Sequence, residues 1–132
     1  MHAPLSIKQS YAGRHVLLTG VTGFLGKVWL AMMLDHVPEI GKIYVLTRKK
    51  ALRPAVDRFE KAVASSPCFK PMHERLGPEM SRFISDRVEV VEGDVSLPRL
   101  GIEDPAVFDR LARDLDLVIN CAGLVDFDPD LR

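Results

Sequence analysis

Three glycines, Gly20, Gly23 and Gly26, recur at every third position directly after the run Val16-Leu17-Leu18-Thr19. Gly20 falls where a strand must bend sharply, and glycine tolerates positive φ at little cost. Gly23 lacks a Cβ, so the main chain there can approach an anion closely. Gly26 lets the helix that follows pack tightly on the strand. The start of that helix points free N–H groups and a partial positive charge at the anion. Strand, tight turn and helix in this order are the context in which such a triplet cradles a diphosphate. The spacing is GxxGxxG, not GxGxxG.

Three further groups could act on a nucleotide. The strand Lys42 to Thr47 runs into Arg48, Lys49 and Lys50, with no acid where an NAD site needs one for the ribose 2′-OH. A guanidinium suits a phosphate through paired, charge-assisted hydrogen bonds, so Arg48 points to NADP(H) over NAD(H). Lys49 and Lys50 read as a solvated loop. Asp94 follows the third strand, where it could accept from the adenine amine while Val95 packs on the ring. A turn-forming Gly-Asp pair explains the same residues, and the two readings are compatible. Cys121, Ala122 and Gly123 follow the fourth strand, and small residues there let a diphosphate and ribose lie close. Cys121 has no basic partner in sequence and reads as a small packed thiol, not a nucleophile. Asp126, Asp128 and Asp130 imitate a calcium loop, but the turn glycine and terminal Glu are missing, so no metal site is expected. His73, among Glu and Arg neighbours, reads as a surface histidine.

The elements that position these groups follow from patterning. Strands are expected at about His15–Thr19, Lys42–Thr47, Arg87–Glu92 and Leu117–Asn120. Residues 1–14 read as a polar lead-in. A helix at about Gly23–His36 has Leu25, Val28, Trp29, Met32 and Met33 around most of its circumference, as in a deeply buried helix. Its Trp and Met side chains read as core. Pro38 enforces a stop nearby. A second helix begins near Arg53 with Pro54 in its first turn and an apolar face of Val56, Phe59 and Val63. Residues 66–86 are broken by prolines and glycine, with short helices expected around His73–Leu76 and Glu79–Ile84. Asp104 reads as the N-cap of a helix at Pro105–Asp114, with Val107, Phe108, Leu111 and Leu115 along one face. The alternation β-α-β-α-β-α-β specifies an α/β, Rossmann-type doubly wound parallel sheet. Its expected strand order is 3-2-1-4, and its ligand crevice lies at the carboxyl ends between strands 1 and 4.

The chain's 132 residues are enough for one core, and a formal net charge of zero gives no reason to expect nucleic-acid binding. Two cysteines make no disulfide framework, which fits a reducing, cytoplasmic setting. The N-terminus has no apolar signal core, and the longest apolar run, Val28 to Leu34, is too short to span a bilayer.

The segments T-G-V-T-G-F-L-G, L-T-R, G-D-V and I-N-C-A-G together resemble the extended short-chain dehydrogenase/reductases. G-F-L-G-K-V-x-L, V-P-E-I-G-K-I-Y-V-L-T-R and V-D-F-D-P-D-L are similar to the fatty acyl-CoA reductase branch and its thioester-reductase neighbours. The resemblance implies NADPH-dependent reduction of a fatty acyl thioester to aldehyde or alcohol. It places Gly20, Thr22, Gly23, Phe24, Leu25 and Gly26 at the diphosphate and Arg48 at the 2′-phosphate. Asp94 and Val95 fall at the adenine end, and Cys121, Ala122 and Gly123 at the ribose. The family's Tyr-x-x-x-Lys lies beyond the fourth strand. Here Tyr11 and Tyr44 are followed four residues later by His15 and Arg48. The chain therefore reads as the amino-terminal, cofactor-binding part of one domain, catalytically silent alone. The fourth strand is left as an open edge, prone to self-association or to mobility after Gly123. A non-catalytic NADP-binding module and a sugar-nucleotide epimerase or dehydratase are the alternatives.

Overall fold

A computed structural model describes residues 3–123. In chain order the elements are α1 (Ile7–Tyr11), β1 (His15–Thr19), α2 (Phe24–His36), β2 (Lys42–Thr47), α3 (Ala55–Ser65), α4 (Lys70–Leu76), α5 (Met80–Arg87), β3 (Val88–Glu92), α6 (Pro105–Asp114) and β4 (Leu117–Asn120). The four strands form one parallel sheet in the order β3-β2-β1-β4. This is the architecture expected from the alternation of elements.

Register shows how β1 and β2 are buried on both faces. Leu18 pairs with Val45 and Val45 with Val90, while Leu17 pairs with Tyr44 and Val118. Val16, Leu18, Ile43 and Val45 pack under α2, α3, α4 and α5, and Leu17, Tyr44, Leu46 and Val91 pack under α6. Both layers are apolar, which is why β1 and β2 read as continuous apolar runs.

Several expectations change. The lead-in contains α1, capped where the Ser6 hydroxyl accepts from the Gln9 amide. Tyr11 seats α1 edge-on against Trp29, with ring centroids 6.3 Å apart. In α2 the buried residues are Gly26, Leu30, Ala31, Met33 and Leu34. Leu25 and Met32 are exposed, so α2 buries one face and Met32 is not core. The buried stripe of α3 is Ala55, Phe59 and Val63, spaced four apart, and Val56 faces solvent. Pro54 is its N-cap and lies outside the first turn. Residues 66–86 are almost wholly helical, and they add Phe69, Met72, Met80 and Ile84 to the core. α4 begins three residues before His73 because Pro71 falls in its first turn, where no amide donor is needed. β3 starts at Val88, one residue late, since Arg87 closes α5 and donates to the carbonyls of Pro38 and Phe83. Among the described residues no helix is long and apolar enough to cross a membrane. Residues 124–132, with the three aspartates and the expected mobility after Gly123, lie outside the description.

Candidate functional site

The glycine turn closes on itself and on β4. Gly20 has φ +78, and a Cβ there would fall 2.5 Å from the Ala122 nitrogen and the Cys121 carbonyl carbon. A Cβ at Gly26 would fall 2.6 Å from the Gly20 carbonyl carbon and 2.9 Å from Val21 Cα. Gly20 and Gly26 are therefore glycine because main chain passes against them. Gly23 is different, because its φ is −85 and a Cβ would meet only the Gly20 oxygen at 3.4 Å. The protein itself leaves room for a side chain at this exposed position. Its absence leaves a hollow at the N-cap of α2. That cap has no side-chain hydrogen bond and no acid in the first turn, so the amides of the helix start are free to meet an anion.

The ends of β1 and β4 are pinned together beside the turn. The Thr19 hydroxyl donates to Asn120 Oδ1 at 2.5 Å, and the Cys121 amide donates to the Thr19 carbonyl at 3.1 Å. The Ala122 amide reaches Asn120 Oδ1 at 3.2 Å. Thr19 is buried. This places Cys121, Ala122 and Gly123 opposite Gly20, at the point where the strand order reverses.

On the other side of the turn stand β2 and β3. Arg48 Nη1 lies 4.0 Å from Asp94 Oδ2, and Arg58 Nη1 donates to the Arg48 carbonyl at 2.5 Å. Asp94 Oδ1 accepts from the Ser96 hydroxyl at 2.6 Å and the Ser96 amide at 2.9 Å. These bonds, the hydroxyl first, hold the Asp94 carboxyl below the usual carboxylate range, and Arg48 adds to them. Asp94 is thus a carboxylate acceptor at neutral pH. Thr47 Oγ1 is buried and has no hydrogen-bond partner among the described residues. It lies in the wall of the same cleft.

That cleft has a volume of about 510 Å³. Gly20, Thr22, Gly23, Arg48, Asp94, Val95, Cys121, Ala122 and Gly123 all line it. Phe24, Leu25 and Gly26 do not. The Phe24 side chain is 83% exposed, so Phe24 and Leu25 can serve only through first-turn amides, and Gly26 serves as packing. Arg58 was not anticipated from the sequence and lines the cleft beside Arg48. A larger hollow, about 780 Å³, adjoins it beyond Arg48. It lacks the glycine turn and the free start of α2, and its lining mixes cations (Lys49, Lys50, Arg110) with acids (Glu89, Glu92, Glu103). His73 is exposed, as expected of a surface histidine. Among the described residues no group of His, Cys, Asp and Glu could hold a metal ion.

An NAD-binding family model described as male sterility protein matches residues 18–132. Probable fatty acyl-CoA reductase 5 of Arabidopsis thaliana is 32% identical over 125 residues, 94% of this chain and 25% of that protein. Fatty acyl-CoA reductase 1 of Gallus gallus is 33% identical over 128 residues, 97% of this chain and 24% of its own. Among solved structures, the reductase (R) domain of a non-ribosomal peptide synthetase from Mycobacterium tuberculosis superposes with a TM-score of 0.65. It is 35% identical, with 85% of this chain and 24% of that one covered. The chain spans about a quarter of the length of the curated relatives it matches.

Proposed function

We propose a function from one premise: this chain belongs to the male sterility protein family, and it is the NADP(H)-binding part of an oxidoreductase that reduces a fatty acyl thioester. The observation that carries the reading is the convergence at one cleft of the open Gly23 position, the free start of α2 and the Arg48–Arg58 pair. The site fits the cofactor. Gly23 offers the hollow for a diphosphate, Thr47 Oγ1 offers a buried polar group still to be bonded, and Arg48 offers a guanidinium where an acid would repel phosphate. When bound, the nicotinamide supplies hydride for the thioester carbonyl.

Each residue then has a separate task. The first-turn amides of α2 bind the diphosphate. Arg48, with its carbonyl fixed by Arg58, holds the 2′-phosphate. Asp94 and Val95 orient the adenine, one as acceptor and one as apolar cover. Cys121, Ala122 and Gly123 form a wall without bulk on the ribose side. The acid–base chemistry is assigned outside these 132 residues. Tyr11 packs on Trp29, Tyr44 is buried under α6, and neither lines the cleft. The names of the relatives support a reductase and lend nothing to a sugar-nucleotide enzyme. A cytoplasmic setting and self-association through the edge of β4 belong to the same proposal. They are supported by two free cysteines and by the exposure of β4.

The test is titration of the purified chain with NADPH and NADH, followed by addition of an acyl-CoA. Tight, NADPH-selective binding with no oxidation of the cofactor is the expected result. Equal, weak binding of both would remove the assignment, and robust turnover would place the acid–base groups inside this chain.

A further inference from the structure

The connection from β3 to α6 carries a feature that the chain path does not require. Arg99, Leu100 and Gly101 take φ values of +54, +57 and +60 in succession. Arginine and leucine rarely adopt that region, and such strain persists only where the surroundings over-determine it. Residues 93–104 supply ample length to join β3 to α6 by an unstrained route. The strain therefore points to what the turn holds.

What it holds is Asp94. The Leu100 carbonyl accepts from the Asp94 amide at 2.7 Å, while the Asp94 carbonyl accepts from the Leu97 amide at 3.1 Å. Gly101 presses on the same residue, since a Cβ there would lie 2.9 Å from the Asp94 nitrogen and 3.2 Å from its Cβ. The preceding Gly93 donates to the Thr47 carbonyl at 3.2 Å. The turn is fastened from behind to α6. The Arg99 guanidinium lies 4.3 Å from the centre of the Phe108 ring and 3.8 Å from the Asp109 carboxylate. Leu100 packs against the buried cluster beneath that helix, which includes Ile102 and Leu111.

We propose that the left-handed turn Arg99–Leu100–Gly101 is a positioning element that locks Asp94 and, through Asp94, aims Arg48 at the 2′-phosphate of an adenosine. The aiming half rests on the cofactor reading above. α6 braces the turn, the turn fixes the Asp94 main chain, and the Asp94 carboxylate steers the guanidinium. Selectivity for a 2′-phosphorylated nucleotide is then set partly by residues that touch no nucleotide.

The experiment compares wild type, Gly101→Ala and Arg99→Ala, the last removing the fastening to α6 without placing a Cβ against Asp94. Two quantities are read: amide hydrogen exchange at Asp94 without ligand, and the affinity ratio of 2′,5′-ADP to 5′-AMP. Simple destabilisation lowers both affinities together and leaves the ratio alone. The Asp94 amide should be protected in wild type, and both variants should release it while Leu17 and Val45 stay protected. The ratio should fall about tenfold in Gly101→Ala, the scale of one hydrogen bond to a charged group, and by less in Arg99→Ala. Unprotected Asp94 in wild type, or an unchanged ratio in variants with faster exchange, overturns the proposal. A wild-type ratio near one overturns the cofactor reading and the aiming role together. Exchange, which needs no ligand, still decides whether the turn locks Asp94.

Discussion

Arg58, on the first turn of α3, donates through Nη1 to the carbonyl oxygen of Arg48 at 2.5 Å. The bond crosses from a helix to the end of a neighbouring strand and fixes the main chain of the residue proposed to hold the 2′-phosphate. It also sets a second guanidinium in the wall of the cleft. Two cations beside one site raise the local positive potential more than an exposed arginine alone would.

Arg48→Ala should weaken NADPH about tenfold or more, as expected for a lost hydrogen bond to a charged group, and change NADH little. Arg58→Ala should follow the same pattern at smaller amplitude, since its main effect is on Arg48. Isothermal titration of both nucleotides against the three chains checks this. Equal losses for the two nucleotides would take both arginines out of the 2′-phosphate site.

Gly23 and Gly26 should respond differently to a single added methyl. Gly26→Ala drives a Cβ into the Gly20 carbonyl and should destabilise the fold by about 3 kcal/mol, as overpacking against rigid main chain does. Gly23→Ala meets only one oxygen, at 3.4 Å, and should cost less than about 1 kcal/mol. It should nonetheless lower dinucleotide affinity at least about tenfold, because the methyl fills the hollow proposed for the diphosphate. Thermal melts beside NADPH titrations separate the two. A Gly23→Ala chain with normal affinity would contradict the proposed placement of the diphosphate.

The sheet was legible because its signals are local. Apolar runs of strand length end at Gly20 and Arg48, and burial of β1 and β2 on both faces leaves no competing pattern there. The cleft was legible for a related reason: it gathers residues at strand ends, which topology brings together once the strand order is known. Arg58 was not legible, because a separation of ten residues has no meaning until the loop after β2 folds back. Nor was the turn at Arg99 and Leu100, since neither residue type announces a positive φ. α1 escaped notice because its anchor, Tyr11 on Trp29, is a tertiary contact.

β4 is an edge strand among the described residues, and Val118 is 61% exposed on it. An open edge with apolar side chains is a template for another chain. The purified protein should self-associate with rising concentration, and Val118→Lys should shift it toward monomer, as a charge on an edge strand does. Sedimentation velocity over a hundredfold range of concentration checks both. A wild-type monomer throughout would exclude this edge as a pairing surface.

Tyr44 should set an alkaline limit on stability. It is buried on β2 beneath α6, with Arg110 5.9 Å from its ring centre and the His15 ring 6.2 Å away. Burial pushes its phenol above the usual tyrosine range. The Glu89 carboxylate pushes further in the same direction, and Arg110, itself bonded to Glu89 at 2.9 Å, opposes it only in part. The folded state therefore keeps its proton at pH values where the unfolded chain has lost it. That contribution is fully present below the unfolded pKa of about 10 and is lost as pH rises through the raised folded value. Tyr44→Phe removes the group that titrates, so its stability should fall less steeply than wild type above about pH 10. At neutral pH the two should differ by less than about 1 kcal/mol, since Phe keeps the packing. Urea midpoints measured from pH 7 to pH 11 decide it. Parallel curves for the two chains would mean that Tyr44 ionises as freely in the folded protein as in the unfolded one.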